Sequence, residues 1–263
     1  MGLDKKKITG FGDALYDAMF SRTTIEPLTE QEPEITIEDA YQVSLRMLER
    51  RLGAGESMIG KKIGVTSKVV MDMLNVQQPD FGFLTDTMIY SGSAEIPAST
   101  TLIQPKAEGE IAFVLKQDLR GPGVTNADVI AATDFVIPCF EIVDSRIRDW
   151  KIKIQDTIAD NASCGAIVLG DTAVCPLEVD LATCGIVVTL NGEIISTGAG
   201  AAAMGSPVNA VAWLANTLGA YDIELRAGEV ILSGSLVPLQ GVKAGDSMHM
   251  EIGGIGQASV RFS

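Results

Sequence analysis

The apolar positions change their period near residue 58. Before it they recur at helical spacing: Ile8, Phe11, Leu15 and Met19 mark one side of a helix over 8–20. Ile37, Tyr41, Leu45, Leu48 and Leu52 form a second stripe, opened by a Thr36/Asp39 capping box and stopped by glycines. Pro27 and Pro33 bracket a loop between the two. Beyond residue 58 the chain becomes short β-forming runs punctuated by glycine: IGKKIGV, IAFVLK, FVIPCFEIV, GAIVLG, GIVVTL, EIIST, EVILSG, MHMEI and ASVRFS. Asn191-Gly192 between alternating β-formers predicts a two-residue hairpin. Two helices interrupt the strands, one capped by Thr125, the other with Ser206 as N-cap, Pro207 in first position and Gly219 past its end.

Many strands without regular strand–helix alternation argue against a doubly wound sheet. The expected fold class is α+β, with a helical N-terminal portion (1–75) followed by a glycine-rich mixed β-sheet domain (76–263), packed as one unit. Composition adds bounds. A chain of 263 residues, 46% hydrophobic and 21% charged, has the make-up of a soluble globular protein. No apolar run reaches the length of a membrane span, and the start, MGLDKKKITGFGD, lacks the apolar core of a secretion signal. A cytoplasmic protein is therefore expected. The net charge of −14 opposes binding to nucleic acid or anionic membrane, and an anionic substrate would need a local positive centre. Cys139, Cys164, Cys175 and Cys184 form no CxxC pair and read as buried thiols. The single histidine, His249, cannot build a zinc site with cysteines so scattered.

Four places hold candidate chemistry. In PKAEGEIAFVL, Glu108 and Glu110 would share a strand face about 7 Å apart. They run into apolar sequence, and Glu141 sits inside another such run; a buried, unpartnered carboxylate costs several kcal/mol or stays protonated. Three carboxylates without histidine form a hard oxygen donor set suited to Mg²⁺ or Mn²⁺. In IGKKIGV, alternation raises Lys62 between Gly60 and Gly64, either opening room for a ligand or marking an edge-strand lysine. Asp80 lies between Pro79 and Gly82, as a reactive side chain on a rigid loop or as a turn-former. Asp144, Arg146, Arg148 and Asp149 read as a surface charge cluster; Asp160-Asn161-Ala162-Ser163 could offer a hydroxyl and N–H groups to a carboxylate, or be only a turn.

With these in view, the chain resembles the 2-oxopent-4-enoate (2-hydroxypenta-2,4-dienoate) hydratases of catechol meta-cleavage pathways, in the hydratase/decarboxylase branch of the fumarylacetoacetate hydrolase fold. GKKIGVTS, QPDFGFLTD, EGEIAFVL, CFEIVDSRIRDWKI, ADNASCG, GSPVNAVAWLAN and GEVILSGSLVP carry the resemblance over essentially the whole chain. It implies Glu108, Glu110 and Glu141 as ligands of a divalent metal, Lys62 and Asp80 as catalytic residues, and Ser163 with Asn161 as substrate contacts. It also implies a small anionic 2-oxo or 2-hydroxy acid as substrate, a homo-oligomer, and a possible complex with the pathway's 4-oxalocrotonate decarboxylase. Two other readings stand beside it: 4-oxalocrotonate (2-oxohex-3-enedioate) decarboxylase, and a non-catalytic partner subunit of that decarboxylase.

Overall fold

In a computed structural model, residues 2–68, 71–72 and 76–263 are described. The first stripe becomes helix α1 (Lys5–Ser21), capped by the Asp4 carboxylate, with Leu15 fully buried. A single helical turn, Leu28–Gln31, fills the stretch between the two prolines. Helix α2 (Ile37–Gly53) starts at the expected capping box, but its buried face is turned. Ala40, Val43, Ser44, Met47 and Arg51 are buried with Tyr41, whereas Leu52 is 41% exposed. Arg51 can lie inward because its guanidinium donates to Glu56, Thr85 and Thr87, which satisfies the charge that burial would otherwise strand.

The strands are β1 (Met58–Gly64), β2 (Asp80–Thr85), β3 (Ile89–Ser91), β4 (Ser93–Ile96), β5 (Lys106–Leu115), β6 (Thr133–Val143), β7 (Cys164–Leu169), β8 (Gly185–Leu190), β9 (Glu193–Ala199), β10 (Val230–Leu232), β11 (Gln240–Gly241), β12 (Ser247–Ile252) and β13 (Gly256–Phe262). Helices α3 (Asn126–Ala132), α4 (Ile154–Ala159) and α5 (Pro207–Gly219) complete the set used below. Thr125 and Ser206 cap α3 and α5 as expected; Gly219 is the last residue of α5 rather than the one beyond it. Asn191 and Gly192, both at positive φ, make the β8–β9 turn. The fold is α+β, as expected.

The strands form two sheets. The larger runs β2-β1-β10-β5-β6-β7-β3, with β11 on β5; the smaller runs β4-β13-β12-β8-β9. The pairs β1/β10, β3/β7 and β4/β13 are parallel and the rest antiparallel, so the sheets are mixed. Strand β1 lies second in the large sheet, so that sheet begins inside the 1–75 segment. Alternation divides the large sheet into two faces. Ile63, Phe81, Phe83, Ile111, Phe113, Phe140 and Ile142 join the main core with α2, α5 and the inner face of the small sheet. The other face carries a smaller cluster of Leu84, Ala112, Cys139, Cys164, Ile167, Val230 and Leu232. Lys62 pairs with Leu232, and Glu110 with Cys139, so the candidate residues belong to that second face. Among the described residues, no helix is long and apolar enough to cross a membrane.

Candidate active site

Antiparallel register brings the carboxylates together. Glu108 of β5 stands directly opposite Glu141 of β6, and Glu110 lies one pleat further along β5 on the same face. One carboxylate oxygen from each lies within 4.8 Å of the others. Glu110 and Glu141 are fully buried, and Glu108 is half-buried. Glu110 Oε2 accepts the Gly234 backbone N–H at 2.8 Å, leaving Oε1 without a hydrogen bond. Neither oxygen of Glu141 has a hydrogen-bond donor, although Lys62 Nζ is 3.1 Å from Oε1. Burial, and then the Glu141 charge, push Glu108 up to about 7 and Glu110 well above the usual carboxylate range.

This donor set fits a divalent cation. Three orphaned oxygens on two carboxylates, with a third carboxylate beside them, is an arrangement that a hard dication satisfies and that protein groups here do not. The three residues predicted to ligate a metal are therefore brought together.

Lys62 and Asp80 meet through the β1/β2 pairing. Gly64, the last residue of β1, pairs with Asp80, the first of β2. Asp80 is thus a strand residue, not one held in a turn, and it is 1% exposed. Its Oδ2 accepts the Thr157 hydroxyl of α4 at 2.8 Å, while Oδ1 has no hydrogen bond. Burial raises its pKa, with the Lys62 ammonium acting against that rise. For Lys62, burial alone would lower the pKa; Glu141 first, then Asp80, overcome it and hold the side chain as ammonium.

Gly64 is what leaves room for this pair. A Cβ there would stand 2.3 Å from Asp80 Oδ1 and 3.2 Å from Lys62 Nζ. Both contacts are with side-chain ends, so Gly64→Ala is expected to fold and to displace the two functional groups. Its kcat should fall roughly hundredfold, the loss that a misplacement of about 1 Å brings. Steady-state kinetics beside circular dichroism would check it; unchanged kcat would mean that the spacing of the pair is immaterial.

The 160–163 segment packs on β2 at Gly82, where a Cβ would lie 2.5 Å from the Asn161 carbonyl oxygen. The Asn161 side chain mimics a strand neighbour: Oδ1 accepts the Phe83 N–H at 2.7 Å, and Nδ2 donates to the Phe83 carbonyl at 2.9 Å. Asn161, Ala162 and Ser163 all have positive φ, a run that costs about 1–2 kcal/mol per residue. Ser163, 3% exposed, donates its hydroxyl to Asp160 at 3.3 Å.

What holds this turn is a buried ion pair, where a surface charge cluster is expected from the sequence. Arg146 and Asp144 are buried; Arg148 and Asp149 are exposed. Arg146 Nε donates to Asp160 Oδ1 at 2.6 Å, Nη1 donates to the Asp144 and Cys164 carbonyls, and Nη2 to the Asp160 carbonyl. Burial raises Asp160 to about 6, against the pull of Arg146. Nothing in VDSRIRD separates this arginine from its exposed neighbour Arg148 except its place after a strand that pairing buries.

The family model of the fumarylacetoacetate (FAA) hydrolase C-terminal region matches residues 61–263. A 2-hydroxypent-2,4-dienoate hydratase of Pseudomonas putida is 68% identical, over 84% of this chain and 100% of its own. A 2-hydroxyhexa-2,4-dienoate hydratase of Comamonas testosteroni is 58% identical over 99% of both chains. Among solved structures, 4-oxalocrotonate decarboxylase from Pseudomonas putida G7, complexed with magnesium and adipate, superposes with a TM-score of 0.96 at 36% identity, covering 99% of both chains.

Proposed function

The chain belongs to the fumarylacetoacetate hydrolase family, and from that premise we propose that it is a hydro-lyase adding water to 2-hydroxypenta-2,4-dienoate to give 4-hydroxy-2-oxopentanoate. The observation that carries this reading is the three-carboxylate cluster with orphaned oxygens, set beside an ammonium and a second, separately held acid. Hydration needs both halves: an electron sink at the 2-oxygen, and a group that directs a water and moves its proton.

Glu108, Glu110 and Glu141 would hold Mg²⁺ or Mn²⁺, which when bound supplies Lewis-acid stabilisation of negative charge on the substrate's 2-oxygen. Lys62, kept as ammonium by Glu141 and Asp80, adds positive charge beside the same oxygen. Asp80, with one free oxygen and a carboxyl raised by burial, is suited to orienting the attacking water and taking up its proton. C5 gains a proton as the 2-hydroxyl loses its own, giving the conjugated 2-oxo-3-enoate; the water oxygen then bonds to C4, and the proton it gives up is balanced by one delivered to C3. Ser163 and the backbone of its turn would bind the substrate carboxylate. Asn161, whose amide is committed to Phe83, would contribute through the backbone it places.

The test is the isolated chain with Mg²⁺ or Mn²⁺, followed by loss of dienol absorbance. Chelation should abolish turnover and metal readdition restore it. Release of CO₂ from 2-oxohex-3-enedioate without dienol hydration would identify a decarboxylase, the activity named for the solved neighbour. Inactivity on both substrates, with activity appearing only on adding a decarboxylase, would identify a partner subunit. The assembly we propose, a homo-oligomer able to associate with that decarboxylase, rests on the resemblance and is read by light scattering.

A further inference from the structure

The two carboxylate oxygens of Asp80 have different surroundings. Oδ2 accepts the Thr157 hydroxyl at 2.8 Å, whereas Oδ1 has no hydrogen bond and converges with Lys62 Nζ on the space above Gly64. The Thr157 hydroxyl has one proton and two acceptors within reach: Asp80 Oδ2, and at 3.1 Å the Ile154 carbonyl of its own helix. A hydrogen bond to an ionised group is roughly twice as strong as one between neutral groups. The proton therefore goes to Asp80 while Asp80 is charged, and Ile154 competes for it only when Asp80 is neutral.

The hydroxyl is held from behind. Helix α4 has six residues, too few to be stable alone. Asp156, fully buried, anchors it by accepting the Thr29 backbone N–H at 3.0 Å, the Thr29 hydroxyl at 2.8 Å and the Lys153 N–H at 2.9 Å. Thr157, next in sequence and 6% exposed, is thereby fixed across from β2. Of the ionisable groups around Asp80, Lys62 of β1 favours the carboxylate and Glu108 of β5 opposes it. Tyr41 of α2 and Cys164 of β7 are kept neutral by burial, and Asp160 is paired with Arg146. None of these bonds involves the Thr157 hydroxyl, so a variant there isolates its effect.

We propose that Thr157 is a positioning residue for hydration: by occupying Oδ2 it leaves Oδ1 as the one oxygen of Asp80 free to take the proton of the attacking water. The proposal rests on the role given to Asp80 in the functional reading. As the water oxygen bonds to C4, the C3–C4 electron pair moves into the enolate at the 2-oxygen. The water O–H bond breaks and Oδ1–H forms, while Oδ2, now the carbonyl oxygen of the acid, still accepts from Thr157. Burial already raises the Asp80 carboxyl, and the Thr157 hydroxyl works against that rise. Losing the hydroxyl raises it further, so the basic form is lost at low pH and regained as pH increases.

The test measures kcat/KM against pH with Mg²⁺-loaded enzyme. In Thr157→Val the acid limb should move up by about one unit, a roughly tenfold loss on the acid side that shrinks on the alkaline plateau. Thr157→Ser should return the limb to its wild-type place. Thr29→Val, which removes a bond from the same helix without touching Asp80, should lower Tm and leave the limb unmoved. Without turnover, the infrared carbonyl band of protonated Asp80, assigned by its absence from Asp80→Asn, should persist to higher pH in Thr157→Val. A loss uniform in pH, or an unmoved limb and band, would make Thr157 a structural tie and overturn the proposal. So would a shift that Thr157→Ser fails to reverse. A wild-type enzyme inactive on the dienoate would overturn the functional reading, and the band would still decide whether Thr157 holds Asp80 in its charged form.

Discussion

Glu110→Gln is expected to abolish metal-dependent activity while making the metal-free protein more heat-resistant. The two effects have opposite signs because they have one cause. Three carboxylates whose oxygens lie within 4.8 Å of one another repel in the metal-free state, and burial deepens the penalty for Glu110. Glutamine keeps the shape and can still accept the Gly234 N–H through its carbonyl oxygen. It also brings an N–H₂ that can donate to Glu141, neither of whose oxygens has a hydrogen bond. The chelated variant should therefore melt above chelated wild type. Wild type should regain the difference, and more, on adding Mg²⁺ or Mn²⁺: a ligand at a hundred times its Kd contributes about 2.7 kcal/mol, or roughly 5–10 °C at this chain length. The variant should not respond. Its activity should fall by about a thousandfold or more, as loss of several kcal/mol of charge stabilisation requires. Scanning calorimetry with and without chelator reads the first effect and dienol absorbance the second. A metal-induced rise in Tm retained by Glu110→Gln would remove Glu110 from the ligand set.

Asp80→Asn should separate the two halves of the reaction. Asparagine can still accept the Thr157 hydroxyl, so the strand start and its tie to α4 should survive. What is lost is a group that can take up and release a proton. Hydration at C4 should slow by about 10²–10⁴-fold, while exchange of substrate carbon protons in D₂O continues. Nuclear magnetic resonance of the substrate in D₂O follows both processes in one sample. If hydration and exchange disappear together, Asp80 serves the tautomerisation, and the water is directed by another group.

The elements that local chemistry dictates were the legible ones. The capping boxes at Thr36 and Thr125, the Ser206-Pro207 start and the Asn191-Gly192 turn all appear where their residues predict. The failures are tertiary. The α2 stripe is turned inward at Arg51, which distant partners, Glu56, Thr85 and Thr87 among them, make tolerable. Strands β2, β3, β4 and β11 carry weak local signals, because edge pairings or short ladders define them. Asp80 looked like a turn residue since Pro79 and Gly82 flank it; pairing with Gly64 makes it the first residue of a strand.

At the site, local sequence is enough to say which side chains share a face: Glu108 with Glu110, and Lys62 with its flanking glycines. It did so because strand alternation is a property of neighbouring residues. It takes the assembled sheets to put Glu141 opposite Glu108, to bring Lys62 to Glu141, to make Gly64 the space for Asp80, and to turn Arg146 into a buried latch under the 160–163 turn. Each of these depends on register between strands or contact between segments far apart in the chain. Which strand pairs with which is settled by burial of the whole sheet, and no window of sequence contains it.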